Sequence, residues 1–286
     1  MRIDGVSRLV GLVGYPIEHT LSPMIHNAAF DSLRLNWVYV PLRVHPGSLG
    51  PALEGLRWLD FSGVNVTIPH KVETVRFMDD LREEARILEA VNTVVKEGRD
   101  LIGYNTDVRG FTDFTFKRGI GLASVSALLI GAGGAARAVA LALARGGASK
   151  IAIANRTPGR AEVLRSMLKG ATGHSEISVE EFDESGLRVI RECDLVINCT
   201  PLAVEDAEEI PIHYDDFGDG QWAVDLNYSR RRTAFLEEAC KRGASGANGE
   251  DMLLFQAAAS FRLWTGMEPP LDDMREVFIE TIKGDR

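Results

Sequence analysis

Residues 125–157, VSALLIGAGGAARAVALALARGGASKIAIANRT, carry the strongest structural signal in the chain. An apolar run, SALLI, leads directly into the glycine-rich turn GAGGAA, and a run rich in alanine and leucine follows with helical spacing. A second apolar run, KIAIA, comes after that helical run. This order predicts a strand, a tight turn, a helix and a second strand that lies parallel to the first.

The turn, GAGGAA at residues 131–136, has the spacing GxGxxA. Gly131 permits the tight turn, Gly133 lets the backbone approach a pyrophosphate, and the small Ala136 lets helix and strand pack closely. The N–H groups that begin the helix then face the phosphates. The stretch therefore predicts a Rossmann-type dinucleotide-binding domain. The expected cofactor contacts in the turn are Gly131, Ala132, Gly133, Gly134 and Ala135.

The end of the second strand indicates which dinucleotide is bound. Domains of this type that bind NAD place Asp or Glu about 20 residues after the glycines, where it holds the ribose 2′-hydroxyl. This chain has Asn155, Arg156 and Thr157 there instead, and Arg160 follows on the next turn. A carboxylate would repel a 2′-phosphate, whereas two guanidinium groups attract it and can stack on the adenine. We therefore predict NADP(H), with these four residues as contacts.

Composition limits the class of protein. The 286 residues are 45% hydrophobic and carry a formal net charge of −9, which argues against a nucleic-acid-binding surface or a polybasic membrane patch. No apolar run approaches the roughly 20 residues of a membrane helix, and the N-terminal residues lack a signal-peptide pattern. Cys193, Cys199 and Cys240 are widely spaced, without a CxxC pair, which is typical of a reducing compartment. We expect a cytoplasmic protein without a metal.

Short β-rich runs alternate with helical runs along most of the chain, which predicts two α/β domains with a boundary near residues 106–110. In the first half the β-rich runs are LVGLVGYP, WVYVPLRV and GVNVTIP, and helical stretches follow them, the last over residues 70–81. The run AVNTVVKEGRDLIGYN predicts a β-hairpin that turns at EGRD. Residues 249–283 are helical in pattern and could pack on either domain.

The segment GYPIEHTLSPMIHN, residues 14–27, ends a strand and opens a helix. Ser22 is placed as the N-cap and Pro23 as the first helical residue, and a cap alone needs no further function. The hydroxyls of Thr20 and Ser22 beside a helix N-terminus are also suited to bind a carboxylate.

Two further segments place polar residues at strand ends. In NVTIPHK, Asn65 and Thr67 finish an apolar strand, and Lys71 falls in the first turn of the predicted helix. A cation is unfavourable at that end of a helix dipole, so Lys71 is either functional or reaches out to solvent. The motifs AVNT and GYNTD place Asn92 and Asp107 just before the dinucleotide-binding domain.

Together these segments resemble the shikimate dehydrogenase family. The elements GYPIEHTLSPMIHN, NVTIPHK, AVNT, GYNTD, GAGGAAR, NRTPGR and NGEDMLLFQAAASFRLWTG appear in the family's order, from Gly14 to Gly266. The resemblance implies an N-terminal, mostly parallel-sheet substrate domain of residues 1–107 and 252–286. Residues 108–251 would form the C-terminal NADP-binding Rossmann domain, and the final helices would pack back on the first domain.

The resemblance also implies an activity and a set of roles. The reaction is the reversible, NADPH-dependent reduction of 3-dehydroshikimate to shikimate, on the route to chorismate and the aromatic amino acids. Lys71 and Asp107 are the implied catalytic pair, in which Lys71 gives and takes the proton. The implied substrate contacts are Thr20, Ser22, Asn65, Thr67, Asn92, Tyr228 and Gln256. Thr200 and Gly249 join the implied cofactor contacts.

The chain departs from the family pattern at three places. Thr20 stands where the family has the first serine of S-x-S, and its methyl group can crowd the carboxylate. Arg230 stands where proline is common, and Ala203-Val204 replaces the usual Gly-Met.

Three alternatives stay open. A broader quinate/shikimate dehydrogenase would be favoured by an acid beside the adenine ribose, where this chain has Arg156 and Arg160. An aminoshikimate-type dehydrogenase is a second enzyme alternative. A non-catalytic sensor of NADP(H) or a metabolite would not need both Lys71 and Asp107. The oligomeric state is also open, with a homodimer as one option.

Overall fold

The computed structural model describes residues 3–201, 210–228 and 233–284, and the chain divides into two compact units. Unit 1 comprises Met1–Gly110 and Leu254–Arg286, and unit 2 comprises Phe111–Leu253. The last helices therefore belong with the N-terminal residues, as the family resemblance implies. The predicted boundaries, at residues 107/108 and 251/252, fall close to these.

Unit 1 is built on a mixed sheet. Its strands are β1 (Arg8–Gly14), β2 (Trp37–Arg43), β3 (Phe61–Val66), β4 (Asp80–Leu81), β5 (Thr93–Glu97) and β6 (Asp100–Tyr104). In the described residues their order is β2-β1-β3-β5-β6-β4. The pairs β1–β2, β1–β3 and β4–β6 are parallel, whereas β5 is antiparallel to both β3 and β6. The β5–β6 pair is the hairpin predicted from EGRD, which confirms that prediction.

Helices cover this sheet and bury its apolar side chains. They are α1 (Ser22–Ser32), α2 (Leu49–Trp58), α3 (Glu83–Leu88), α8 (Glu250–Thr265) and α9 (Leu271–Gly284), of which α8 begins in unit 2. α9 packs against α1. Most of β1 and β3 is buried, as expected for central strands that are covered on both faces.

The helix predicted over residues 70–81 is wrong. The chain instead forms a turn, a short 3₁₀ helix at Glu73–Phe77 and then β4. β-branched Val72, Thr74 and Val75 lose χ1 freedom in an α-helix, which weakens the helical tendency of the segment. Because β4 pairs with β6, the chain must also be extended again by Asp80.

Unit 2 has the architecture predicted from the glycine-rich turn. Its strands are β7 (Ser126–Ile130), β8 (Lys150–Ala154), β9 (Ile177–Glu180), β10 (Leu195–Asn198), β11 (Trp222–Asp225) and β12 (Ser245–Asn248). Over the described residues their order is β12-β11-β10-β7-β8-β9, and every pair is parallel. Counted from β7, this is the strand order of a Rossmann fold, which confirms the prediction. The helices are α4 (Asp107–Arg118, which begins in unit 1), α5 (Gly134–Arg145), α6 (Pro158–Thr172) and α7 (Ala234–Lys241).

In the part of the chain that the structure describes, no helix is long and apolar enough to cross a bilayer. Within the same residues, no group of three His, Cys, Asp or Glu side chains could hold a metal ion.

Candidate active site

One edge of the unit 1 sheet collects the polar residues singled out in the sequence. β1 and β3 are parallel neighbours, so the segments that carry Thr20 and Thr67 leave the sheet at the same edge. β5 runs antiparallel to β3, and it therefore begins where β3 ends. The Val66 N–H donates to the carbonyl oxygen of Asn92 at 2.8 Å, which ties the two strand ends together. β6 ends beside them, and Asp107 follows it.

An ion pair between Lys71 and Asp107 lies at this edge. Lys71 Nζ donates to Asp107 Oδ2 at 2.6 Å, and the two side chains are 18% and 7% exposed. Asn92 Nδ2 donates to the other carboxylate oxygen, Oδ1, at 2.8 Å. Asp107 is the first residue of α4, where the helix dipole favours a negative charge. Both oxygens of the carboxylate are thus engaged, and the ammonium is held in one direction.

Lys71 reaches this position from a turn and not from a helix, so the argument from the helix dipole was wrong. Its backbone lies between β3 and the short 3₁₀ helix, and its carbonyl oxygen accepts from the Val91 N–H at 2.8 Å. That bond places Lys71 next to Asn92. Lys71 therefore lies beside Asp107 because of a long-range backbone contact, whereas the sequence argument rested on a local helix.

The start of α1 also differs from the expectation. The N-cap position is Leu21, so Ser22 is the first helical residue and the prediction of Ser22 as N-cap is wrong. The Ser22 N–H donates to Thr20 Oγ1 at 3.3 Å, which means that Thr20 satisfies a backbone N–H at this helix start. Ser22 is buried, with 8% exposure, and its hydroxyl does not cap the helix.

Both ends of the Asn65 side-chain amide form hydrogen bonds with other protein groups. Its Oδ1 accepts from the Tyr39 hydroxyl at 2.9 Å, and its Nδ2 donates to Ser260 Oγ at 2.9 Å and to Thr93 Oγ1 at 3.0 Å. Sequence reasoning missed Thr93, Thr106 and Ser260. The two threonines directly follow Asn92 and precede Asp107 in AVNT and GYNTD, which was an available signal. For Ser260 the sequence offers only its spacing of one helical turn after Gln256.

In unit 2 the glycine-rich turn lies where the strand order reverses. Gly131 follows β7, and Thr200 follows β10, its paired neighbour. Gly131 has a φ of +112°, and a Cβ there would lie 2.9 Å from the Thr200 methyl group. At Gly249 a Cβ would collide with the Leu226 carbonyl oxygen. Both positions therefore require glycine, and both sit at the carboxyl ends of strands, where this fold binds ligands.

The ends of β7 and β8 are joined by Asn155. Its Oδ1 accepts from the Ala132 N–H at 3.1 Å, and its Nδ2 donates to the Thr157 carbonyl oxygen at 2.8 Å. α5 begins after Gly133 without a side-chain cap, so the N-cap residue does not satisfy the N–H groups of the first turn. Arg156 and Arg160 are exposed. Arg160 also lies in the first turn of α6, where the helix dipole disfavours a cation, so a bound anion would relieve that repulsion.

The end of β11 carries a buried carboxylate, Asp225. Burial raises its pKa, although it accepts hydrogen bonds from Asn198 Nδ2 at 3.2 Å, from the backbone and side chain of Asn227 at 3.0 and 2.7 Å, and from Thr233 Oγ1 at 2.6 Å. Asn198 in turn accepts from the Thr200 N–H and hydroxyl. Asn227 donates to the Thr200 carbonyl oxygen at 2.9 Å. Asp225 therefore fixes Thr200 through two asparagines, a role that the sequence analysis did not assign.

Comparison with known proteins agrees with this arrangement. Residues 12–94 match the family described as shikimate dehydrogenase substrate binding domain, residues 115–209 match shikimate / quinate 5-dehydrogenase, and residues 249–277 match shikimate 5′-dehydrogenase C-terminal domain. The shikimate dehydrogenase (NADP+) of Moorella thermoacetica is 44% identical over 284 residues, 99% of this chain and 96% of the relative. The chain belongs to the shikimate dehydrogenase family.

Solved structures of the family share the fold. A shikimate dehydrogenase in complex with NADP+ superposes with a TM-score of 0.90 at 35% identity and covers 98% of both chains. The shikimate 5-dehydrogenase of Thermus thermophilus, in complex with NADP(H) and shikimate, has a TM-score of 0.85 at 36% identity, over 96% of this chain and 99% of that one. The recognition and fold class predicted from the sequence motifs are thereby confirmed.

The remaining site predictions divide between the units. Gln256 lies on α8 in unit 1, and Tyr228 follows β11 in unit 2, where burial raises the pKa of its phenol. Of the departures from the family pattern, Thr20 keeps its hydroxyl at the start of α1. Ala203-Val204 and Arg230 lie outside the described residues.

Proposed function

We propose that this member of the family catalyses the reversible, NADPH-dependent reduction of 3-dehydroshikimate to shikimate. The observation that carries the proposal is the Lys71–Asp107 ion pair, joined by Asn92, at the sheet edge of the substrate-binding unit. Its support from relatives is broad, because the Moorella thermoacetica protein and others of similar identity carry the name shikimate dehydrogenase (NADP+) over nearly their whole length.

Reduction of a ketone to an alcohol needs a hydride at carbon and a proton at oxygen. NADPH, when bound, supplies the hydride. In our proposal Lys71 Nζ donates the proton to the ketone oxygen and takes it back in the reverse direction. An ammonium has three N–H bonds, and the one directed at Asp107 Oδ2 leaves others for the substrate. Asp107 keeps the ammonium oriented, and Asn92 keeps Asp107 oriented.

Substrate recognition is assigned by the chemistry of the same edge. We propose that hydroxyls at the start of α1 and the end of β3 bind the substrate carboxylate, from Thr20, Ser22 and Thr67. Ring hydroxyls would be bound by Asn92, Asp107 and Gln256, and the protonated phenol of Tyr228 would donate to the carboxylate. Asn65, whose amide is engaged by protein groups at both ends, would support the strand end.

The residues of unit 2 fit an NADP(H) molecule. A Cβ at Gly131 would collide with Thr200 and one at Gly249 with Leu226, so glycine lets these segments pack closely at the carboxyl ends of the strands, and α5 begins without a side-chain cap. The contacts proposed for the pyrophosphate are Gly131, Ala132, Gly133, Gly134 and Ala135. Thr200 and Gly249, which follow β10 and β12, are proposed as further cofactor contacts. Arg156 and Arg160 stand exposed where NAD-binding domains have a carboxylate, and with Asn155 and Thr157 they would hold the 2′-phosphate.

The test is absorbance at the reduced-nicotinamide band, with shikimate and quinate each assayed against NADP and NAD. We expect rapid reduction of the cofactor only in the combination of shikimate with NADP. Turnover of quinate, or equal use of NAD, would replace the proposal by a broader dehydrogenase. Measurable NADP binding without turnover of either acid would replace it by a sensor. A homodimeric state and a cytoplasmic location stay predictions, and size-exclusion chromatography with light scattering tests the first.

A further inference from the structure

Three buried hydroxyl groups meet beside the ion pair, and we call Thr93, Thr106 and Ser260 the hydroxyl cluster. Thr93 Oγ1 lies 2.8 Å from Ser260 Oγ, Thr106 Oγ1 lies 3.2 Å from Ser260 Oγ, and the two threonine oxygens are 3.3 Å apart. All three residues are buried, with at most 5% exposure. They come from β5, the segment before α4, and α8, so the cluster exists only in the folded unit 1.

Two members of the hydroxyl cluster, Thr93 and Thr106, contact Asn92, whose amide can point in only one direction. Its Nδ2 faces Asp107 Oδ1 at 2.8 Å, and an ionised carboxylate only accepts hydrogen bonds. Its Oδ1 faces the Thr106 N–H at 2.7 Å, and a backbone N–H only donates. A flipped amide would turn its oxygen towards the carboxylate and its NH₂ group towards the N–H. Both contacts would then become repulsive.

The hydroxyl cluster completes the hydrogen bonding of this amide. Thr93 Oγ1 donates to Asn92 Oδ1 at 3.0 Å, and Asn92 Nδ2 donates to Thr106 Oγ1 at 3.0 Å. The Thr106 hydroxyl can then donate to Ser260 Oγ, and the Ser260 hydroxyl donates to the Gln256 carbonyl oxygen at 3.0 Å. In this arrangement every hydroxyl proton has an acceptor, as buried polar networks require.

We propose that the hydroxyl cluster is a positioning element for the catalytic pair. By holding the Asn92 amide it sets the direction of the Asp107 carboxylate, and through Asp107 the direction of the Lys71 ammonium. Ser260 connects this arrangement to α8, the helix that carries Gln256. The inference rests on the proposed function in one respect, namely that Lys71 and Asp107 perform the proton transfer.

Thr106→Val tests the proposal, because valine has nearly the shape of threonine and keeps the backbone N–H. It removes the acceptor of one Asn92 N–H and one donor to Ser260 Oγ, which still accepts from Asn65 Nδ2. We expect kcat/KM for shikimate to fall about ten- to a hundredfold, the effect of losing a hydrogen bond coupled to a charged group. KM for NADP should stay within about twofold of the wild-type value, and Thr106→Ser should recover most of the lost kcat/KM.

Two further variants sharpen the comparison. Thr115→Val is the matched control, since Thr115 is also buried and its hydroxyl donates to the Thr112 carbonyl oxygen in α4, away from the hydroxyl cluster. It should leave kcat/KM unchanged. Ser260→Ala should lower kcat/KM by a smaller factor than Thr106→Val, because Thr93 and Thr106 remain in contact. Full activity of Ser260→Ala would remove Ser260 from the positioning element.

A second measurement does not depend on turnover. Exchange of the Asn92 side-chain amide protons, followed by NMR, should be slow in wild type and Thr106→Ser and faster in Thr106→Val. Slow exchange together with full activity in Thr106→Val would overturn the proposal, as would equal losses in Thr106→Val and Thr115→Val. A wild-type protein that does not oxidise shikimate would refute the proposed function, while the exchange rates would still decide whether the hydroxyl cluster holds Asn92.

Discussion

Replacing His26 by phenylalanine or leucine should make unit 1 less sensitive to acid. His26 lies on α1 with 0% exposure, and its ring stacks on Tyr39 with centroids 4.5 Å apart and an interplanar angle of 2°. The Trp264 ring lies 5.3 Å away, and neither nitrogen of His26 has a hydrogen-bond partner among the described residues. Burial in these aromatic surroundings lowers the pKa of His26 from 6.5 to about 3.

The magnitude follows from this difference in pKa. The unfolded chain binds a proton at His26 below pH 6.5, whereas the folded protein does not bind one until the pH approaches 3. Stability is therefore lost as the pH falls through this window, by about 1.4 kcal/mol for each unit. Between pH 7 and 5 the free energy of unfolding of wild type should fall by about 2 kcal/mol more than that of His26→Phe or His26→Leu.

The assay needs a signal from unit 1 alone, because a two-unit chain need not unfold in one step. Of the four tryptophans, only Trp222 belongs to unit 2, so Trp222→Phe confines the fluorescence to unit 1. Urea unfolding in this background is measured at pH 5 and pH 7 for wild type and both His26 variants. The substitutions also change packing, which shifts the free energy of unfolding at both pH values. The quantity compared is therefore the change in the free energy of unfolding between pH 7 and pH 5. If the free energy of unfolding fell equally in wild type and variants between pH 7 and pH 5, His26 would not be neutral and buried as described.

Three shorter predictions concern the two sites. In initial-rate assays, Lys71→Ala should lower kcat by about 10²- to 10⁴-fold and leave KM within a few-fold of the wild-type value. Lys96→Ala is the control: it removes a similar lysine–aspartate pair away from the site and should leave both kcat and KM unchanged. Arg156→Gln and Arg160→Gln should weaken NADP about ten- to a hundredfold relative to NAD, and unchanged discrimination in titrations of the two cofactors would contradict their assigned role. Burial raises the pKa of Asp225, so the unfolded chain loses this proton at a lower pH than the folded protein does, and the free energy of unfolding of wild type falls as the pH rises. In urea unfolding between about pH 4 and 8, the free energy of unfolding of Asp225→Asn should therefore increase relative to that of wild type. A difference that stays constant with pH would contradict this.

Long-range pairing decided the parts of the site that local patterns could not show. Lys71 was singled out because a cation seemed misplaced in a helix, yet no α-helix forms there, and a carboxylate 36 residues away holds the side chain. Ser260 contacts Asn65 across 195 residues of sequence, which no spacing rule predicts. The hydroxyl cluster and the role of Asp225 were missed for the same reason. In the sequence, a serine within a helix, such as Ser260, or an aspartate at the end of a strand, such as Asp225, looks the same whether it faces solvent or the protein interior.

Local sequence patterns were enough to predict the Rossmann fold of unit 2, the hairpin, NADP(H) as the cofactor and the family. Those conclusions rest on properties that lie within a few residues: the turn that Gly131 permits, the absence of an acid beside Arg156, and the order of short motifs. The folded structure was needed to show which carboxylate oxygen faces Lys71 and how the Asn92 amide is oriented. The physical reason is that φ/ψ preferences and apolar periodicity act locally, whereas a buried hydrogen bond forms only after strand pairing has brought distant residues within about 3 Å.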